Sequence, residues 1–343
     1  MEPILQLSNR DKEVLVSAFL KLSTNPYRDY PAFCDEIASL SRTSTIPDAV
    51  ATACEQIRVN RASGSEAAYL LRNCPLDPLI PVFDQDDPVS DKYRQKKTFV
   101  AEGFLALFAE LTATPLLAYS TRNNGDFFHD VYAHNRYRNT QTQKTDGELY
   151  LHNDRTAHPV RADYLSLLGM RSDPSNLIYT GYVDGRSILR FLSAEHQALL
   201  RQPLYCTPYD EYSRDSNSLQ VDSKPHTVLE ESHCFRYYET RTKPLPDAPR
   251  EAFEAMLAFR DALVLAEKVR VSIGVGDLFS FPNQAGLHNR EIVKVCDPVQ
   301  ARLRWLLKTY SFRSPEYMQR FREAFSTGVD GLVCDNVESA YAA

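Results

Sequence analysis

Residues 147–154 read Gly147-Glu148-Leu149-Tyr150-Leu151-His152-Asn153-Asp154. His152 and Asp154 stand two residues apart. Side chains alternate faces along a β-strand, so this imidazole and this carboxylate can point to the same side. One more histidine would complete a two-histidine, one-carboxylate face of the kind that suits non-haem Fe(II). The candidate is His288, far along the chain. A lone His-x-Asp triplet is more often a solvated surface feature, so its weight depends on what surrounds it.

From residue 115 onward the chain reads as short β-rich runs divided by turn signals at Arg122-Asn123-Asn124-Gly125, Asp146-Gly147 and Asp184-Gly185. Residues 164–170 read as a buried strand. Residues 269–275 alternate, with Val269, Val271, Ile273 and Val275 on one side. Residues 302–312 form the last long strand. A helix over 249–267 interrupts this half, and another opens at Ser314-Pro315-Glu316. Upstream, Ser8 caps a helix bearing Leu15 and Phe19. Further helices follow Pro31 and Pro47, and a strong one spans 98–113. The Pro-rich segment 75–97 reads as a loop. Many short strands without strand–helix alternation predict a mainly β, α+β protein: a double-stranded β-helix (jelly-roll) core wrapped by helices. The expected organisation is a single domain over 1–343. Residues 1–113 are mainly helical, 114–313 form the core with an inserted lid at 206–234, and 314–343 form a closing helix and tail.

The 343 residues suffice for one large domain with an ample core. Lys and Arg total 39 against 45 Asp and Glu, a net charge of −6 that argues against a general nucleic-acid binder. Seven scattered cysteines without a CxxC pair read as free thiols in a reducing compartment. No basic, apolar leader opens the chain, and no run approaches the ~20 apolar residues of a membrane span. The expectation is a cytoplasmic protein with no membrane partner.

In Arg302-Leu303-Arg304-Trp305-Leu306-Leu307-Lys308, strand alternation puts Arg302, Arg304 and Lys308 on one face. A planar guanidinium is suited to a paired contact with a carboxylate. Taken alone, the run also reads as an edge strand with a solvated basic face.

Together these segments resemble the clavaminate synthase-like branch of the taurine dioxygenase superfamily of Fe(II)/2-oxoglutarate oxygenases. The likeness spans most of residues 100–313. It rests on Ala101-Glu102-Gly103-Phe104-Leu105, on His152-Asn153-Asp154 followed by Ala157-His158-Pro159-Val160-Arg161-Ala162-Asp163-Tyr164, on Asn283-Gln284-Ala285-Gly286-Leu287-His288-Asn289-Arg290, and on Arg304-Trp305-Leu306-Leu307-Lys308.

The resemblance implies that His152, Asp154 and His288 bind Fe(II). It implies that Arg304 pairs with 2-oxoglutarate, with Thr180 as helper and Arg302 as a rival anchor. Lys308 stands where relatives carry an arginine that meets the substrate carboxylate, and Asp154 where many carry glutamate. Glu239 lies where relatives place acidic substrate contacts, although it could equally pair with Arg236 or Arg241. His129 lies where they present a polar side chain to substrate. The implied reaction consumes O₂ and 2-oxoglutarate and releases succinate and CO₂ as a free L-amino acid is hydroxylated. L-lysine is the first expectation, followed by arginine, asparagine or a carrier-tethered residue. The implied Asp154 ligand favours hydroxylation over halogenation. A non-catalytic jelly-roll binding module is the distant alternative.

Overall fold

The computed structural model describes residues 1–65, 67–216 and 221–334. Among these, eight strands form one sheet, in the order Leu5–Gln6, Tyr69–Arg72, Leu278–Pro282, Tyr164–Arg171, Trp305–Ser311, Leu116–Tyr119, Leu332–Val333, with His129–Val131 also paired to Trp305–Ser311. A four-stranded sheet runs Lys268–Val271, Leu177–Asp184, Gly286–Lys294, Leu149–His152.

Alternation sorts the side chains into three apolar layers. Leu168, Leu278, Trp305 and Leu307 of the larger sheet pack against the N-terminal helices Asn9–Phe19, Tyr30–Ser41, Asp48–Ala62 and Val100–Leu111. Leu165, Leu167, Phe279, Phe281, Leu306 and Tyr310 face inward and meet Tyr182 of the smaller sheet. The Tyr182 and Phe281 rings lie 5.4 Å apart across the gap. Leu151, Val183 and Leu287 turn outward onto Met256 and Phe259 of the helix Arg250–Leu265. Gly103 sits inside the Val100–Leu111 helix because Phe19 lies against it: an added Cβ would meet the ring at 2.7 Å. This is the β core with flanking helices expected from the sequence.

Four local expectations are corrected. The N-terminal part also contributes two strands, Leu5–Gln6 and Tyr69–Arg72, to the edge of the larger sheet. The segment read as a loop over 75–97 contains the helix Pro88–Gln95. Its Pro88 is the opening proline, and the Asp87 carboxylate accepts the Ser90 N–H at 3.2 Å. The same Asp-Pro device opens the helix Pro298–Arg302, so the last strand begins at Trp305 rather than at 302. The alternating run near 269 stays a strand only to Val271; beyond it Gly276 turns the chain at φ +79°. No helix among the described residues is long and apolar enough to cross a membrane.

Over the expected lid, the strand Tyr205–Cys206 bridges to His226, and the helix Glu211–Ser216 docks back on the core through Tyr212, whose hydroxyl donates to Asn123 Oδ1 at 2.5 Å. Residues 217–220 of the lid and 335–343 of the tail lie outside the described residues. Burial, with the Arg236 charge adding to it, pushes the His226 imidazole from 6.5 down to about 3. An unfolded chain would protonate this group near pH 6.5, whereas the folded chain resists down to about pH 3. The resulting stability is fully present above pH 6.5 and is lost as pH falls through that window, by up to about 1.4 kcal/mol per pH unit. Urea midpoints at about pH 7.5 and about pH 5.5 check this. His226→Gln should lose less stability over the interval than the parent protein, and equal losses would remove His226 as a cause.

Candidate metal centre and adjoining chamber

His152 and His288 are directly opposite one another on paired strands, and His288 is also opposite Tyr182. Their outward neighbours Leu151 and Leu287 are fixed in the layer under the Arg250–Leu265 helix, so both imidazoles must face the gap between the sheets. The His152 Nδ1–H donates to the Tyr150 carbonyl at 2.7 Å, which leaves Nε2 as the free lone pair. The Tyr238 ring stacks on His152 at 4.8 Å, and Phe281 lies 5.0 Å from His288.

Asp154 reaches the same point by a different route from the one its spacing suggested. The strand ends at His152, and the chain turns through Arg155, which holds φ +60°. The turn, not alternation, aims the carboxylate. Two asparagines hold it. Asn283 Oδ1 accepts the Asp154 N–H at 2.8 Å, and the Asn153 amide accepts from Tyr237 N at 2.9 Å and donates to the Gly286 carbonyl at 2.8 Å. Gly286 is required here, since a Cβ would meet the Tyr182 ring at 2.6 Å.

Asp154 Oδ1 then lies 3.2 Å from His152 Nε2 and 3.5 Å from His288 Nε2. All three donors fall within 4.8 Å of one another in a buried setting. Burial would raise the Asp154 pKa, but Lys308 and both histidines together outweigh it and hold the carboxylate well below its usual range. Burial, then the neighbouring His152, pushes His288 down to about 4, so it is neutral near pH 7.

Lys308 spends its ammonium on this carboxylate. It donates to Asp154 Oδ2 at 2.5 Å, to Tyr310 Oη at 2.8 Å and to Gln143 Oε1. These are three acceptors for three N–H groups. Tyr310 donates to the same Oδ2 at 3.0 Å, leaving Oδ1 to the histidines. The expected role of Lys308 as receptor for a substrate carboxylate is therefore corrected: its donors are already committed.

Arg304, next to the last strand, is 8 % exposed, and its Nη2 has no acceptor. It shares a small cavity with Val131, Tyr132, Thr145, Ile178 and Arg290. Burial, then the Arg290 charge, pushes its pKa down to about 9. Thr180 sits opposite Arg290 and shares the inward face of its strand with Ile178 and Tyr182. Arg302 is removed as a rival. It belongs to the preceding helix, and its guanidinium is tied to Asp146 at 2.5 Å, Gln85 at 2.8 Å and Asn135 at 2.6 Å.

Two further expectations change. Among the described residues no ion pair joins Glu239 to Arg236 or Arg241. Glu239 accepts the Leu151 N–H at 3.0 Å and so closes the free edge of the metal-bearing strand. His129 is fully buried opposite Lys308, with its ring 4.9 Å from Tyr310; it lies behind the residues that line the chamber. Of the sequence-selected residues, the structure gathers His152, Asp154 and His288 at one point. Lys308 lies behind them, and Thr180 shares the inward face of the smaller sheet with His288, with Arg304 beside Ile178 and Arg290 of that same face.

A chamber opens beside Asp154, lined in part by Arg122, Arg155, Asp210, Ser213, Tyr310 and Arg241. None of these six was selected from the sequence as a site residue. Tyr310 could have been, since it follows Lys308 by two on one strand face. Arg122, Arg155, Asp210 and Arg241 come from loops, and Ser213 from the short helix Glu211–Ser216, where no periodicity marks the inward side.

Residues 100–310 match the family model described as taurine catabolism dioxygenase TauD, TfdA family. An L-lysine 3-hydroxylase of Catenulispora acidiphila is 29 % identical over 234 residues, covering 66 % of this chain and 63 % of that relative. The match thus spans less than two thirds of the relative's length. An asparagine oxygenase in complex with Fe(II), 2S,3S-3-hydroxyasparagine and succinate superposes with a TM-score of 0.79 at 19 % identity, covering 96 % of this chain and 99 % of that one. The non-haem iron oxygenase OrfP with Fe and alpha-ketoglutaric acid gives 0.76 at 20 % identity, covering 96 % and 99 %. These two likenesses concern the fold.

Proposed function

The chain belongs to the taurine catabolism dioxygenase TauD, TfdA family, and from that membership we propose that it is an Fe(II)- and 2-oxoglutarate-dependent dioxygenase that hydroxylates a free α-amino acid. The observation that carries the proposal is the buried convergence of His152 Nε2, His288 Nε2 and Asp154 Oδ1. Metal–ligand bonds of about 2.0–2.2 Å put ligands at right angles about 3 Å apart. The separations of 3.2 and 3.5 Å suit such an ion. Two imidazoles and one carboxylate converging from one side are the donor set associated with non-haem Fe(II). The unpartnered Nη2 of Arg304 suits the far carboxylate of 2-oxoglutarate, with Thr180 beside it.

When bound, the iron with 2-oxoglutarate and O₂ supplies the oxidising chemistry, and succinate and CO₂ leave as oxygen is inserted into a C–H bond. The protein's own part is positional. Tyr150 fixes the His152 tautomer, Asn153 and Asn283 fix the turn, and Tyr238 and Phe281 wall the imidazoles from water. Lys308 and Tyr310 hold Asp154 Oδ2, which leaves Oδ1 as the oxygen that would meet the iron.

Support for L-lysine as substrate comes from the Catenulispora relative's name. Support for asparagine and arginine comes from the structural neighbours, whose complexes hold hydroxylated asparagine and (3S)-hydroxy-L-Arg. The test is incubation with Fe(II), 2-oxoglutarate, ascorbate and air against each proteinogenic amino acid. Succinate and a product one oxygen heavier than substrate are followed by mass spectrometry. Succinate formation that no amino acid stimulates would reject the proposal.

A second expectation concerns the supporting residue. Lys308→Met should weaken Fe(II) affinity about 10- to 100-fold, the usual loss when a group orienting a metal ligand is removed. Titration with Fe(II) under nitrogen measures it, and unchanged affinity would show that Lys308 does not position Asp154.

A further inference from the structure

In the chamber beside Asp154, two guanidiniums share the Asp210 carboxylate and a third, Arg155, reaches it only through Ser213. Arg122 Nη2 donates to Asp210 Oδ2 at 2.8 Å, and Arg241 Nη1 stands 4.0 Å from the same oxygen. Arg122 and Arg155 both donate to Ser213 Oγ, at 2.6 and 3.3 Å, which brings two like charges onto one hydroxyl. Ser213 in turn donates to Asp210 Oδ2 at 2.9 Å. Arg122 and Arg155 are only 7 % and 9 % exposed. Their outer faces are used up on aromatic rings: Arg122 lies 4.4 Å from the Tyr212 ring and Arg155 4.2 Å from the Tyr119 ring. Even so, Arg122 Nε and both Nε and Nη2 of Arg155 have no acceptor.

Charge balance makes the cluster one anion short. Glu211 reaches Arg241 at 2.9 Å and Asp210 answers Arg122, while Lys308 and Asp154 answer each other. Arg155 is left over. A divalent metal and a 2-oxoglutarate dianion would cancel and change nothing in this count. Buried cations with open N–H groups are costly until an anion fills them. A basic side chain would add a further cation to a chamber whose two lining carboxylates, Asp154 and Asp210, are already met by Lys308 and by Arg122. Asp210 shows this state: burial would raise its pKa, but Arg122 and then Arg241 hold it at about 2.

Resting on the proposed amino-acid hydroxylase, we infer that the substrate carries a carboxylate on its side chain and that Arg155 with Arg122 receives it, making the substrate an acidic α-amino acid rather than a basic one. Arg155 is then a specificity-determining contact.

The test is calorimetric titration of the protein loaded with Fe(II) and 2-oxoglutarate under nitrogen, where binding is read without turnover. L-aspartate or L-glutamate should bind at least about tenfold tighter than L-lysine, L-arginine and L-asparagine, in keeping with one added charge-assisted contact. Arg155→Met should weaken the acidic ligand about 10- to 100-fold and leave 2-oxoglutarate binding unchanged, with Arg155→Lys recovering part of the loss. Melting of the ligand-free variants checks that the fold persists. Tighter binding of lysine, arginine or asparagine, or no binding of either acid, would overturn the inference. If one of those three amino acids is also turned over in air, the proposed function stands without the inference. Failure to take up iron and 2-oxoglutarate in the first titrations would remove both.

Discussion

Asp154→Ala should lose hydroxylation by more than about a hundredfold, since the change removes a ligand itself, while groups that merely orient ligands already cost 10- to 100-fold. The structure also predicts what else the substitution does. Lys308 is 3 % exposed and donates to Asp154 Oδ2, so removing the carboxylate strands a buried ammonium. Breaking one side of a buried pair costs about 3–5 kcal/mol, reduced here because Gln143 and Tyr310 still accept from Lys308. Asp154→Ala should therefore melt at a lower temperature as well as being inactive, and the two effects are separable. In the double variant Asp154→Ala/Lys308→Met no orphan charge remains, so most of the stability should return and none of the activity. Succinate assays and thermal melts on the single and double variants decide the matter. Hydroxylation retained by Asp154→Ala would remove the centre of the proposed function.

That separation shows why part of this site was legible in the sequence and part was not. His152 and His288 were readable because each lies on a regular strand, where a two-residue period fixes the facing side; their apolar neighbours Leu151 and Leu287 supply the opposite face. Asp154 was selected correctly for a reason that does not apply, since a turn held by Asn153 and Asn283 aims it. Arg302 was misread because Asp297-Pro298 starts a helix that the basic alternation hid. Glu239 was misread because a backbone N–H, which no sequence displays, claims its carboxylate. The chamber's arginines were invisible for a related reason. Arg122 and Arg155 sit in irregular segments whose inward direction is set by contacts with Tyr212, Tyr119 and Ser213, brought together from distant parts of the chain. Regular elements therefore carried the fold and the two histidines, whereas Asp154 and the residues proposed to select a substrate came from turns and loops.

Arg304→Met should trade function for stability. The guanidinium is buried beside Arg290, and no carboxylate lies among the acceptors that Arg290 itself uses, the Thr145 and Gly147 carbonyls at 2.6 and 3.1 Å. An unpaired buried charge is a standing cost, and the fall of the Arg304 pKa to about 9 through burial expresses it. Methionine of similar length removes that cost. The protein free of metal and 2-oxoglutarate should gain roughly 1–3 kcal/mol, as apolar replacements of buried charges do elsewhere. The same change removes the proposed charge-assisted contact to the cosubstrate, worth about 1.5–3 kcal/mol, so the KM for 2-oxoglutarate should rise about 10- to 100-fold. Arg304→Lys should sit between, keeping a point charge and losing the paired geometry. Urea titration of the ligand-free protein and steady-state kinetics against 2-oxoglutarate give the two readings. A structural role for Arg304 predicts the reverse of the first: the methionine variant would be less stable. The sign of that change therefore distinguishes a residue kept for packing from one held at a cost for the anion it will bind.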